Sequence, residues 1–381
     1  MSKQLPDLVC MLNLVNLILF LCVLQCLTEG IGVTAGRDLS TPQGIDEVFN
    51  YNHTFAQIMA EYASVVYVND LDSLIAWNCS RCMNLTKGFE LVELIVDQQH
   101  CLQAYVGLAN DLHAIVVAFR GTQENSIQNW MEDLYFRQLD LHYPEVTGAM
   151  VHRGFYSAYH NTSLRPRIVA AVLDILQELN GLNVYVTGHS MGGALAAFCS
   201  LDLVANYGIK RVHTVTFGQP RIGNIVFAEY FGNLVPHTYR MTHAHDMVPH
   251  LPPYYTLFPQ RSYHHFGREV WIHKVELDSL DYEVETVCDG TGEDPTCSRS
   301  VAGNSISDHL CYMGVFLGAD SWGSCSFILR KNVNLAVKTE DGFVIKMPLL
   351  KIHSHEQELS NIQIQRIVMW KEPSFFPNDQ L

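Results

Sequence analysis

The chain of 381 residues is poor in charge, with Asp, Glu, Lys and Arg making up only 17 % of it. Basic residues are the scarcer kind: 24 Lys and Arg stand against 39 Asp and Glu, a net charge of −15 with histidine neutral. No local basic patch offsets that balance. Affinity for DNA or RNA comes largely from neutralising phosphates, so nucleic acid is not an expected partner. Internal repeats and low-complexity tracts are missing as well, and the composition fits neither a disordered chain, a collagen nor a coiled coil. The chain has no G-x-x-x-x-G-K-[S/T] and no G-x-G-x-x-G in a strand-to-helix context, which removes the usual phosphate cradles. Cys79-x-x-Cys82 has no second C-x-x-C to complete a zinc site. Neither a metal nor an organic cofactor is expected. What the chain does have is apolar residues, 48 % of the total, enough to bury a sizeable core. The length allows one large α/β domain with extensions, or two domains.

One uncharged stretch stands apart. From Leu8 to Leu27 the sequence reads LVCMLNLVNLILFLCVLQCL, preceded by Lys3 and Asp7. A secretory signal fits, and twenty residues are also long enough for an anchor. Asn13, Asn16 and Gln25 weigh against the anchor, so a signal within residues 1–30 is the favoured reading. Either reading sends the rest of the chain into the secretory pathway, to be secreted or held in a lumen or at a membrane. Sequons at Asn52, Asn78, Asn84 and Asn161 agree with that route, although about two would arise by chance. Eleven cysteines is an odd number. Three of them (Cys10, Cys22 and Cys26) lie in the leader, leaving Cys79, Cys82, Cys101, Cys199, Cys288, Cys297, Cys311 and Cys325. An even set in an oxidising compartment reads as disulfides. Cys199 falls on an apolar helix, where a buried free thiol is plausible, and a second cysteine would then be unpaired too.

Along the chain, Leu102–Leu108 and Ala114–Phe119 form a hairpin-like pair across the turn-prone Asn110-Asp111. Arg165–Leu179 carries Ile168, Val169, Val172, Leu173 and Leu176 at helical spacing. An apolar strand at Val184–Val186 leads into a Gly- and Ala-rich helix from about Met191 to Asn206. Further strands are expected at Arg211–Phe217, His237–Thr242 and Glu269–Val275, with a helix over Ile222–Phe231. Strands alternating with helices predict a mostly parallel sheet covered on both faces. Beyond Cys325 the pattern changes, and Asn332–Lys338 and Gly342–Leu350 alternate across Glu340-Asp341-Gly342, a hairpin signal. Residues 326–381 read as a small β-rich extension.

The chemistry centres on Gly188-His189-Ser190-Met191-Gly192, a G-x-S-x-G sequence. As a string it is weak, but its context is strong. Strand residues Asn183–Thr187 enter it and the Ala-rich run Gly193–Ala197 leaves it. A serine hydroxyl becomes a useful nucleophile when a sharp strand-to-helix turn lifts it clear of the sheet beside a base. The glycines at 188 and 192 let neighbouring backbones come close.

Four blocks occur in order: Phe119-Arg120-Gly121-Thr122, His152-Arg153-Gly154-Phe155, Gly188–Gly193 and Gly218-Gln219-Pro220-Arg221-Ile222-Gly223-Asn224. With a fifth, aspartate-bearing block, residues 50–325 resemble the fungal-type class 3 triacylglycerol lipases of the α/β-hydrolase superfamily, especially their plant members. The resemblance implies a Ser, Asp, His order along the chain. Asp246 then matches the acid, in His243-Ala244-His245-Asp246-Met247-Val248-Pro249. For the base, His250, His264, His265, His273, His309, His353 and His355 all follow the acid, and spacing does not choose among them. Ser307-Asp308-His309-Leu310-Cys311-Tyr312 resembles the family's histidine loop, which implies His309, with His264-His265 the weaker candidate. Two donors must face the developing oxyanion. The N–H of Met191 is one by its place after the nucleophile. The resemblance implies Thr122 as the other.

Ile127, Trp130, Met131, Leu134 and Tyr135 make one apolar helix face. Such a stripe is commonly core, but its place beside Thr122 resembles the family's short helical lid. The expected activity is therefore hydrolysis of fatty-acyl esters at a lipid–water interface. Phospholipid, galactolipid or a soluble ester such as a feruloyl sugar are alternative substrates. A lipase-like interaction protein without activity is disfavoured because all three triad positions are occupied. The negative net charge mildly favours neutral lipid over strongly anionic membranes. Nothing in the sequence specifies an oligomeric state.

Overall fold

The computed structural model describes residues 50–122, 137–254, 262–277, 280–319, 327–329 and 336–347. The leader and the stripe Ile127, Trp130, Met131 and Leu134 lie outside them, as do His353 and His355.

The chain opens with helix α1 (His53–Val65), started by Asn52, whose side chain accepts from the Phe55 N–H. Asn52 caps the first turn because its short carbonyl satisfies a donor that the helix itself leaves free. A one-turn helix α2 (Leu71–Ile75) follows. Strands β1 (Glu90–Asp97), β2 (Leu102–Ala109) and β3 (Ala114–Phe119) then run as antiparallel neighbours, with the predicted turn at Asn110-Asp111 between the last two. Short strands β4 (Gln138–Asp140) and β5 (Met150–His152) pair with each other before helices α3 (Arg153–His160) and α4 (Leu164–Glu178). Next come β6 (Asn183–His189), helix α5 (Met191–Ala205), β7 (Val212–Phe217), helix α6 (Ile225–Leu234) and β8 (Thr238–His243). The hairpin β9 (Glu269–Leu277) and β10 (Leu280–Val287) precedes a small ribbon of β11 (Cys311–Tyr312) and β12 (Val315–Phe316). Strands β13 (Ala336–Lys338) and β14 (Gly342–Lys346) form the last pair.

Ten of these strands make one sheet in the order β10-β9-β8-β7-β6-β3-β2-β1-β14-β13. Its centre is parallel, from β3 through β6, β7 and β8 to β9. Both flanks are antiparallel: hairpins supply β1-β2, β2-β3, β9-β10 and β13-β14, and β14 docks antiparallel on β1. The predicted parallel α/β sheet thus forms the middle of a larger mixed one.

The central strands are apolar on both sides, as a sheet covered on both faces requires. Along β3, Ile115, Val117 and Phe119 pack with the helices α3 to α6, while Val116 and Ala118 pack with α1 on the opposite face. Helix α5 is buried along nearly its whole length, which explains why Ala and Gly fill its first turns. On α4, Ile168, Val169, Val172 and Ile175 turn inward, and Leu173 stays 38 % exposed at the rim of the stripe.

Cysteines divide as their parity suggests. Disulfides join Cys79 to Cys82 and Cys288 to Cys297, and Cys101 is disulfide-bonded as well. Cys199 is a buried thiol on α5 and Cys311 an exposed one on β11. The Cys79-x-x-Cys82 pair is therefore a disulfide, not half of a zinc site. Among the described residues no helix is long and apolar enough to cross a membrane.

Candidate active site

Ser190 sits where β6, near the middle of the sheet, turns into α5. Its backbone has φ 58° and ψ −130°, a conformation that costs a non-glycine residue about 1–3 kcal/mol. The turn is held by its own hydrogen bonds: Ser190 N–H donates to Phe217 O at 2.9 Å and Gly193 N–H to Ser190 O at 2.9 Å. Glycine is required on both sides for space. A Cβ on Gly188 would lie 2.3 Å from Gly192 O, and one on Gly192 would lie 2.3 Å from Phe119 O. The close approach seats the nucleophile turn against the end of β3. The positive end of α5 faces the serine, where negative charge develops during acyl transfer.

The end of β3 brings the predicted oxyanion residues together. Gly121 packs so closely that a Cβ there would stand 3.1 Å from the Ser190 Cβ. Thr122 is buried beside Met191, its hydroxyl 3.8 Å from the Met191 sulfur. Thr122 and Met191 thus lie side by side near the serine.

Asp246 and His309, 63 residues apart in sequence, meet behind this turn. His309 Nδ1 is 2.9 Å from Asp246 Oδ2, and neither residue is appreciably exposed. Asp246 Oδ1 accepts the Val248 N–H at 2.9 Å. Tyr312 donates its hydroxyl to Asp246 Oδ2 in a short hydrogen bond. Burial, reinforced by the Asp246 charge, raises the Tyr312 hydroxyl well above its ordinary pKa, so it stays a donor. An acceptor-only carboxylate with donors on both oxygens fixes the imidazole with Nδ1 protonated and Nε2 open. Among the described residues, His309 Nε2 and Ser190 Oγ are both buried without a hydrogen-bond partner. Other buried polar atoms share this state, His250 Nε2 and His265 Nδ1 among them, but these two are the atoms that a proton transfer beside the Asp246–His309 pair would join.

Gly218, at the end of β7, presses against the pair. It has φ 55°, and a Cβ on it would lie 2.8 Å from both Asp246 Oδ2 and His309 Nδ1. Arg221 holds the segment that follows the acid. Its guanidinium donates to His250 O and Pro252 O, and it grips Glu293 through bonds of 2.6 and 2.8 Å. Burial works against the Glu293 charge, yet Arg221 keeps its carboxyl below the ordinary range. Of the competing histidines, His264 and His265 bond elsewhere. His265 is buried with Nε2 2.9 Å from Pro249 O, and burial pushes its pKa well down. The Nδ1 of His264 lies 2.6 Å from His265 O. Sequence reading named neither Tyr312 nor Arg221 as a site residue, although both lie inside motif blocks it quoted.

Residues 116–256 match the family model described as lipase (class 3). The lipase of Rhizomucor miehei is 31 % identical over 297 residues, covering 76 % of this chain and 74 % of that protein. The chain belongs to the class 3 lipase family. Solved structures agree with that membership. The triacylglyceride lipase of Rhizomucor miehei superposes with a TM-score of 0.60 at 31 % identity, covering 70 % of this chain and 95 % of that one. Lipase II from Rhizopus niveus gives 0.60 at 28 % identity, with 71 % and 98 % covered. A secreted mono- and diacylglycerol lipase of Fusarium solani is 34 % identical over 226 residues, 58 % of this chain and 63 % of that protein. This class 3 lipase has the α/β-hydrolase fold and is a carboxylic ester hydrolase.

Proposed function

We propose that this chain hydrolyses the fatty-acyl esters of neutral lipid, triacylglycerol first among them, through Ser190, His309 and Asp246. The supporting observation is the orphaned pair: Ser190 Oγ and His309 Nε2, both buried, with the His309 Nδ1 side already taken by Asp246. In this reading His309 takes the serine proton as Oγ attacks the ester carbonyl. Asp246 stabilises the imidazolium that forms. The N–H groups of Met191 and Thr122 receive the oxyanion, and the alcohol leaves with the proton from His309. Water, activated by the same imidazole, then releases the fatty acid from Ser190. We assign the stripe Ile127, Trp130, Met131 and Leu134 to a lid that opens at a lipid surface.

A panel of tri-, di- and monoacylglycerols, phospholipids and galactolipids, assayed across the solubility limit, tests the reading. Ser190→Ala should lower kcat at least about 10³-fold on every substrate that is hydrolysed. Hydrolysis that Ser190→Ala leaves undiminished would remove the serine assignment. A rate that stays flat as substrate passes its solubility limit would remove the lid. Preference for a phospholipid or galactolipid would move the substrate and keep the site.

A further inference from the structure

His189, the residue before the nucleophile, is fully buried and is joined on both ring nitrogens. Its Nε2 lies 2.7 Å from the main-chain oxygen of His309, and its Nδ1 lies 2.8 Å from the Tyr67 hydroxyl. The Gly121 N–H donates to that same hydroxyl at 3.1 Å. These contacts have one consistent proton arrangement. A carbonyl oxygen only accepts, so His189 carries its proton on Nε2. Burial, and then the neighbouring His309, push the His189 pKa well below its ordinary value, so the ring is neutral and Nδ1 is a bare acceptor. The Tyr67 hydroxyl therefore donates to Nδ1 and accepts from Gly121.

The chain of bonds runs from the main chain beside Thr122, through Tyr67 and His189, to the main chain of His309 itself. It links the oxyanion loop, the nucleophile turn and the histidine loop. Gly121 shows how tightly the first joint is closed, because a Cβ there would lie 2.4 Å from both the Tyr67 hydroxyl and the His189 oxygen. Tyr67 comes from the segment after α1, remote in sequence from all three loops and fully buried.

We propose that Tyr67 is a positioning residue, which through His189 holds the oxyanion loop in register with the His309 backbone. This assignment rests on the ester-hydrolase reading above. Interactions that only place transition-state donors and the base lower kcat when lost, while ground-state binding changes little. A displacement of about 1 Å in such groups is enough for a large loss.

The test is Tyr67→Phe, which keeps the ring and deletes the hydroxyl. The expected result on a soluble p-nitrophenyl ester is a kcat lower by about 10- to 100-fold, with KM within about threefold. Labelling of Ser190 by a fluorophosphonate should slow by a similar factor. His189→Asn, which retains an acceptor near Nδ1 but no donor for the His309 carbonyl, carries the same kinetic expectation and covers the case in which Tyr67→Phe does not fold. Nitrogen-15 NMR of histidine-labelled wild-type protein should show His189 as the neutral Nε2–H tautomer. A wild-type Nδ1–H tautomer would overturn the proposal. So would a kcat within threefold of wild type in either variant, or a loss carried by KM alone. If the wild type hydrolyses no ester in a Ser190-dependent way, the hydrolase reading fails, and Tyr67 with it as a positioning residue. The tautomer then reports separately whether the bonded chain exists.

Discussion

At the scale of single residues, Gly218 limits the active site as firmly as any group with a functional side chain. Its φ of 55° is one that an L side chain adopts only at a cost of about 1–2 kcal/mol. Its missing Cβ would intrude to 2.8 Å on both members of the Asp246–His309 pair. Gly218→Ala should therefore cost kcat at least about 100-fold, because the pair must separate or shift to admit the methyl group. The melting temperature should fall by only a few degrees. Steady-state kinetics beside a thermal melt check this, and a variant with wild-type kcat would show that the pair can yield. The same scale marks where sequence stops being informative. Ser190 is legible because its requirement is local: a strand, two glycines and a helix within one contiguous stretch, Asn183–Ala197. Asp246 and His309 are not legible by spacing, since a meeting across 63 residues depends on how β8 and the later loops fold back, and only the motif resemblance selected them. Tyr67 and Tyr312 gave no signal of their own. A tyrosine in sequence reads as core, and the partner of its hydroxyl is settled by tertiary contact.

Elements were more legible than their neighbours. Period-two and helical patterns located β2, β3, α4, β6, α5, β7, β8 and β9 to within a few residues, because each buries one or both faces against the same sheet. The last hairpin was also visible through its alternation around Glu340-Asp341-Gly342. Its destination was not. Strand β14 pairs antiparallel with β1, from Glu93 opposite Lys346 to Asp97 opposite Gly342, so the hairpin lengthens the central sheet. Nothing in an alternating strand names the edge it will join; here Lys346, which bonds Asp174 of α4 at 2.9 Å, and the fully buried Ile345 help to fix it. This docking predicts a stability role for the pair. Ile345→Ala should destabilise the protein by about 2–4 kcal/mol through lost burial and a cavity against β1. The urea midpoint should drop with kcat preserved below the transition. An unchanged midpoint would mean that the hairpin contributes nothing to the sheet's stability.

For the molecule as a whole, histidine burial sets the response to acid. Burial depresses His160 and His213 to about 4, and it lowers His189, His250 and His265 as well. Each of these rings is neutral in the folded state and takes up a proton more readily when unfolded. Stability is therefore complete above the unfolded value near 6.5 and is lost as pH falls toward the folded value. His100 acts in the other direction, since its bond to Asp97 raises its pKa; its contribution is complete at low pH and fades as pH rises. Glu93, raised by burial, also opposes the trend, because the folded state binds its proton first as pH falls. The depressed histidines outnumber these opposing groups, and each steepens the fall by up to about 1.4 kcal/mol per pH unit between its two values. Urea midpoints should accordingly decline from pH 7 to pH 4.5, with most of the decline below 6.5. His160 is a suitable probe because its ring stacks on Tyr156 at 3.8 Å and faces the Tyr143 hydroxyl at 2.7 Å, away from Ser190's partners. His160→Gln should make the pH slope shallower at the cost of some stability at neutral pH. A midpoint that stays level over this range, or a slope that His160→Gln leaves unchanged, would remove histidine burial as the source of acid sensitivity.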